Sequence, residues 1–303
     1  CAMLGYGAER SKNASETLAY QGFPTLNNID AAREVISKRQ TTTRSGLNSV
    51  YGRVNYSYDA KYLAELSMRA DASSKFGPGN QWGYFPALSL GWLISEEDFI
   101  RDKNTVSNLK LRLSLGQTGS TNVADFVYYQ YYINGPLYGG QNSTVLNGTL
   151  PNRNIGWEKT SEVNVGVDFS FFNDRLYGSL DAYYRYTDGA LAPSPHILEP
   201  GMASYWSNIV DMSNRGVEFS IGADVVRGKA FSWSTMLNLS HNHNRIESLN
   251  DALISTYMQD YFVVGEPMGV TRGYVVDHII QSREEIDALN ATAQQLYGRN
   301  YMD

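Results

Sequence analysis

The fold class that the sequence predicts is all-β: an antiparallel, up-and-down transmembrane β-barrel, here an open run of about nine long strands. Three observations predict it. Apolar and polar residues alternate with period two over about ten residues at a time. Tight turns alternate with long connectors. The composition, 22 Tyr and 27 Gly beside 9 Pro, suits strands, turns and polar-tipped aromatics at a water boundary.

The first strand is expected near Met3 to Glu9, followed by a long loop from Arg10 to Gly46. In "VYGRVNYSYD", Val50, Gly52, Val54, Tyr56 and Tyr58 oppose Arg53, Asn55, Ser57 and Asp59; Asp59-Ala60 then turns the chain tightly. "KYLAELSMRAD" sets Tyr62, Ala64, Leu66, Met68 and Ala70 against Lys61, Glu65, Ser67, Arg69 and Asp71. After a loop from Ala72 to Gly83, "LKLRLSLG" sets Leu109, Leu111, Leu113 and Leu115 against Lys110, Arg112 and Ser114. Gln117 to Gly156 is a Gly- and Asn-rich connector, and its run "YYQYYI" (Tyr128 to Ile133) is placed within that loop as a hairpin, outside the wall. "SEVNVGVDFSF" alternates again, with Val163, Val165, Val167, Phe169 and Phe171 on one side, and Asn173-Asp174 has the residue types of a two-residue hairpin turn. In "NDRLYGSLDAYYRYTDGAL" the even positions Leu176 to Tyr186 are apolar or aromatic, while Asp181 and Arg185 lie on the odd face. A loop from Asp188 to Ser213, the strands "VEFSIGADV" and "FSWSTMLNL" and a turn at Gly228 complete the wall. Helical periodicity appears only around Arg283 to Leu296.

Short turns at one end and long loops at the other match the plan of an outer-membrane barrel, with apolar residues toward lipid and polar residues toward a wet lumen. Aromatics near strand ends, Tyr183, Tyr184 and Tyr186 or Trp82, Tyr84 and Phe85, read as interfacial girdles. The competing fold is a soluble or surface-attached β-domain that alternates with its apolar face inward and binds carbohydrate.

A net charge of −6 and the lack of a basic stripe weigh against nucleic acid as a partner. The single cysteine, Cys1, permits no intrachain disulfide, and a lipoprotein anchor is not expected there because it runs directly into Ala2, Met3 and Leu4 of an apparent strand. No catalytic motif, phosphate loop or cofactor motif is present, so neither enzyme activity nor a cofactor is expected. His241 and His243 share a strand face, but no third metal ligand is evident, so no metal site is expected. Asp181 with Arg185, and Glu65 with Arg69, read as charges on the lumen face. Tyr138, Tyr205 and Trp206, in Gly-, Asn- and Pro-rich loops, are the candidate ligand-binding residues, as stacking platforms for sugar rings. Loop packing is the favoured reading for them.

"KFGPGNQWGYFPALSLGWLISEEDF", Lys75 to Phe99, resembles a segment of SusC/RagA-type TonB-dependent outer-membrane transporters. "NLKLRLSLGQTGS", "IGWEKTSEVNVGVDFSFFNDRL", "NRGVEFSIGADVV" and "VGEPMGVTRGYVVDHIIQ" follow in that family's order, so the resemblance covers most of Ser45 to Gln281. Ser120 departs from an Asn in the family pattern and His278 from a Gly. The resemblance implies an importer of oligosaccharides or peptides in the outer membrane, capped by a SusD-like surface lipoprotein and energised through the TonB complex. Residues 1–303 are then expected to be one partial barrel domain from the interior of a longer protein, without its plug, TonB box or final strands. Such barrels have about 22 strands, so this run is expected to leave open edges near Met3 to Glu9 and Phe231 to Asn242.

Overall fold

A computed structural model describes residues 1–21, 34–101, 105–138, 141–146, 148–195, 204–249, 262–270, 273 and 279–299. It divides into two units, Cys1–Val270 and Thr271–Asp303. The wall of the first unit is one antiparallel sheet of nine long strands: β1 (Ala2–Gln21), β2 (Glu34–Tyr58), β3 (Tyr62–Ser73), β4 (Trp82–Leu93), β5 (Val106–Ser120), β9 (Glu158–Phe171), β10 (Leu176–Pro195), β11 (Ser204–Arg227) and β12 (Ser232–Leu249). Between β5 and β9 lie β6 (Tyr132–Tyr138) and β7 (Gln141–Leu146), a hairpin forming its own two-stranded sheet, and β8 (Thr149–Leu150), which pairs in parallel with β11. The aromatic run therefore stays out of the wall as expected, although its strand begins only at Tyr132. In the second unit, helix α1 (Arg283–Tyr297) starts where the Ser282 side chain accepts from the Glu285 N–H and ends at Gly298, whose φ of 69° is the left-handed cap that glycine tolerates.

Three expected boundaries are corrected. Arg10 to Gly46 is not a simple loop, because β1 and β2 stay paired as far as Gln21 and Glu34. Asp188 to Ser213 is likewise mostly ladder, with β10 pairing β11 up to Pro195 and Ser204 across a bulge. Ser-, Thr- and Asn-rich segments satisfy a backbone ladder as well as apolar ones do, so composition alone read them as loop. The turn after β9 is also wider than two residues. Phe172, Asn173 and Asp174 all take positive φ (58°, 55° and 57°), and the Arg175 N–H returns to the Phe171 carbonyl at 3.1 Å. The Asp59-Ala60 turn has both residues at φ 51°, as a primed hairpin requires.

Register rows show how the faces are built. Tyr58, Tyr62, Trp92, Leu111, Val167, Leu180, Phe219 and Leu239 stand side by side across eight strands. This face is bare: Leu4, Leu66 and Leu180 are 83%, 58% and 44% exposed. Toward the long-connection end the apolar residues of this face stop at Val50 on β2. They stop at Leu115 and Val163, level with Val54, on β5 and β9, and at Leu239, level with Tyr58, on β12. The boundary thus slides by eight residues over seven strand steps. With about 3.3 Å per residue and about 4.8 Å between strands, the strands cross the apolar band at about 40°, the tilt of a membrane barrel.

Buried apolar residues of this unit lie instead at the long-connection end. One cluster joins Ala190, Ile209, Val210 and Ile246; the other joins Phe76, Val123, Val127 and Ile155, with Tyr128, Trp157, Leu191 and Trp206 packed against it. At the opposite end Tyr58, Tyr62 and Trp92 stack with centroid spacings of 6.3 and 6.5 Å. The polar tips of two of them converge on Glu97: the Tyr62 hydroxyl donates at 2.6 Å and the Trp92 indole N–H at 3.0 Å. Those donors, Tyr62 foremost, hold the Glu97 carboxyl below its ordinary pKa.

Candidate functional site

The polar face carries paired charges. Arg112 Nε and Nη2 each donate at 2.8 Å to Asp168, and Nη2 also reaches both Asp181 oxygens at 3.0 Å. Gly166 lies between them in the row Arg112, Gly166, Asp181. A Cβ there would stand 2.4 Å from Asp181 Oδ1 and 2.7 Å from Arg112 Nη2, so the missing side chain makes room for the cluster. Arg185 pairs with Glu162 at 2.8 Å and lies over the Tyr183 ring at 4.9 Å; Arg69 pairs with Asp71 at 2.7 Å, and Arg53 with Glu65 at 3.4 Å. Asp181 with Arg185 and Glu65 with Arg69 thus share the expected face but are not partners. Residues four apart on a strand are about 13 Å apart, whereas neighbours across the ladder are about 5 Å apart.

Above this network the connections that follow β3 and β5 fold onto the end of the wall. Phe76, from the Phe-Gly-Pro stretch, is fully buried against Trp157 at 5.4 Å, and Phe85 meets the same indole edge-on at 5.2 Å. The Trp157 N–H donates to the Gln81 carbonyl at 2.9 Å, and Lys75 Nζ holds the carbonyls of Thr121 and Val123 at 3.1 and 2.9 Å. Asn208 of β11 ties the connection before β9 to β10: its Nδ2 donates to the Gly156 and Gly189 carbonyls at 3.1 and 2.8 Å, while its Oδ1 accepts from the Gly156 N–H at 3.0 Å. Asn80, Trp82, Trp157, Lys159, Asp188 and Asn208 line a cavity of about 290 Å³ beside this clamp.

The girdle assignments divide by parity. Trp82, Tyr84, Tyr184 and Tyr186 occupy the apolar face, whereas Phe85 and Tyr183 point to the other: Phe85 is buried under Trp157, and the Tyr183 hydroxyl donates to Asn242 at 3.3 Å. Trp206 packs against the Phe76 cluster, and its carbonyl accepts from Asn152 Nδ2 at 2.8 Å. Tyr205 is its neighbour on β11, opposite Ser194 and Leu150. Tyr138 ends β6, with its side chain outside the described residues. His241 and His243 lie opposite Val217 and Arg215 on the apolar face. Ser120 ends β5 opposite Glu158, and His278 lies outside the described residues. Sequence reasoning missed Trp157, Asn208 and the Arg112 cluster. Their signal was glycines that mark close approach: Gly83 and Gly119 against Trp157, Gly189 against Asn208, and Gly166 within the Arg112 cluster.

Gly119 gives a direct check. A Cβ there would sit 2.1 Å from Phe85 Cζ and 2.8 Å from Trp157 Cε3. Gly119→Ala is expected to loosen the mouth by about 1–2 kcal/mol, the low end of overpacking because the Phe85 ring can swing. Proteolysis of the folded receptor should then cut the Thr121–Gly156 connection sooner. Unchanged cleavage would contradict the packing argument.

A tilted antiparallel wall, apolar outside, salt-linked inside, with short turns at one end and folded connections at the other, defines the barrel of an outer-membrane transporter or receptor. The chain belongs to the TonB-dependent receptor β-barrel family: residues 4–272 match the family model described as TonB dependent receptor-like, beta-barrel. It is 40% identical over 222 residues to the TonB-dependent receptor SusC of Bacteroides thetaiotaomicron, covering 71% of this chain and 22% of that one. It is 38% identical over 231 residues to the TonB-dependent receptor P39 of Formosa agariphila, covering 75% and 22%. The chain therefore spans about a fifth of the length of these relatives. Among solved structures, the RagAB peptide importer in its closed-closed state superposes with a TM-score of 0.76 at 23% identity, over 88% of this chain and 30% of that one, which establishes the shared fold. Membership places the wall in the outer membrane and sets aside the soluble β-domain. The relatives named here are receptors and transporters.

Proposed function

We propose that this chain supplies wall and surface connections to an outer-membrane nutrient importer that is energised through TonB and takes up oligosaccharides or peptides under a SusD-like lipoprotein lid. The observation that carries this reading is the 40% identity to a receptor named SusC. The fold shared with a peptide importer supports it. In this reading the short turns face the periplasm and the connections built around Phe76 and Trp157 face outward. The polar face, with its Arg112 cluster, surrounds the plug and the passing substrate. Tyr205, Trp206 and Tyr138 are the candidate contacts at the mouth, with Trp206 acting through the cluster on which it packs.

Two measurements on the full-length receptor test the proposal. A peptide tag inserted at Asn142, in the β6–β7 hairpin, should be bound by antibody on intact cells; binding only after permeabilisation would reverse the sidedness. Uptake of labelled oligosaccharides and peptides should depend on both the receptor and TonB, and uptake unaffected by loss of TonB would exclude energised import.

A further inference from the structure

We propose that the apolar face carries a binding site for the phosphate of a lipid headgroup, formed by Arg215 of β11 with His241 and His243 of β12, at the membrane boundary nearer the long connections. Arg215 stands opposite Tyr184 on one side and His243 on the other, and His241 stands opposite Val217. They share the face of Leu180, Val217 and Leu239, and they begin where the aliphatic residues of β11 and β12 end. All three are exposed.

Arg215 differs in its pairing from the arginines of the polar face. On the polar face Arg53, Arg69, Arg112 and Arg185 each have a carboxylate partner. The side chains of Arg215, His241 and His243 take part in no hydrogen bond or ion pair among the described residues. The nearby carboxylates are engaged elsewhere: Glu247 accepts from Ser213 and faces Arg245 at 4.0 Å, and Asp211 accepts from the Gly189 N–H and from Ser248. A cation held in hydrocarbon is costly, so Arg215 must reach the headgroup layer, the layer in which a tyrosine such as Tyr184 is at home. The group waiting there is anionic. A guanidinium presents two parallel N–H donors that fit a phosphate, and the two imidazoles, about 7 Å apart along β12, add donors beside it.

Native mass spectrometry of the full-length receptor in detergent, with three added probes, tests the site: phosphorylated lipid A, the same lipid dephosphorylated, and inorganic phosphate. The receptor is expected to retain the phosphorylated lipid about tenfold better than the dephosphorylated one. Arg215→Gln and His243→Gln should each lower retention about fivefold, and Arg215→Lys should keep most of it. Heat-modifiable gel mobility confirms that each variant is inserted. If Arg215→Gln does not insert, His243→Gln and His241→Gln decide. Equal retention of the two lipids, or unchanged retention in the glutamine variants, overturns the proposal. Displacement by inorganic phosphate as readily as by lipid also overturns it, since the site would then serve free phosphate.

Discussion

Leu180→Arg is expected to destabilise the inserted barrel by about 2–4 kcal/mol, whereas Ser179→Arg, one residue away, should stay within about 0.5 kcal/mol. Leu180 lies in the middle of the apolar run of β10, between Val167 and Phe219, and faces outward at 44% exposure. A guanidinium at that depth reaches neither headgroup layer without distorting the bilayer. Ser179 points to the polar face beside Asp168, where a new arginine finds water and a carboxylate. Denaturant unfolding of the full-length receptor refolded into lipid measures both. Equal shifts for the two variants would mean that the faces do not divide lipid from water.

Removing the hub of the polar network should be nearly as damaging. Arg112→Leu leaves Asp168 and Asp181 side by side with no cation, their side chains 34% and 18% exposed. Stranding a charge in a fully buried pair costs about 3–5 kcal/mol; solvent reaches both carboxylates here, so the expected loss is about 2–3 kcal/mol. Asp168→Asn in the same background should recover part of it, because one of the two repelling charges is gone. An Arg112→Leu receptor as stable as wild type would show that the cluster is screened like an ordinary surface pair.

The strands and their faces were legible because period-two alternation states directly which side chains share an environment. Leu180 and Asp181, or Val165 and Asn164, needed nothing more. Pairing partners were not legible. That Arg112 meets Asp168 and Asp181 depends on the register of three strands, which no local pattern encodes. The ends of the strands were hidden for another reason. Beyond the membrane neither face needs to be apolar, so "SKNASETLAY" reads as loop while its backbone runs on in a ladder. Proximity to a strand end likewise mistook Phe85 for an interfacial aromatic, although its odd position already placed it opposite Tyr84.

The packed connections around Phe76, Val123, Val127 and Ile155 bear on how anything is captured at this mouth. Their ordering entropy is met when the chain folds, not when a molecule arrives. A ligand or lid settling on Trp157, Asn208 and their neighbours meets a surface already set in shape. Its recognition would then follow fit and local charge more than loop closure, with association governed by encounter and little slow rearrangement to wait for.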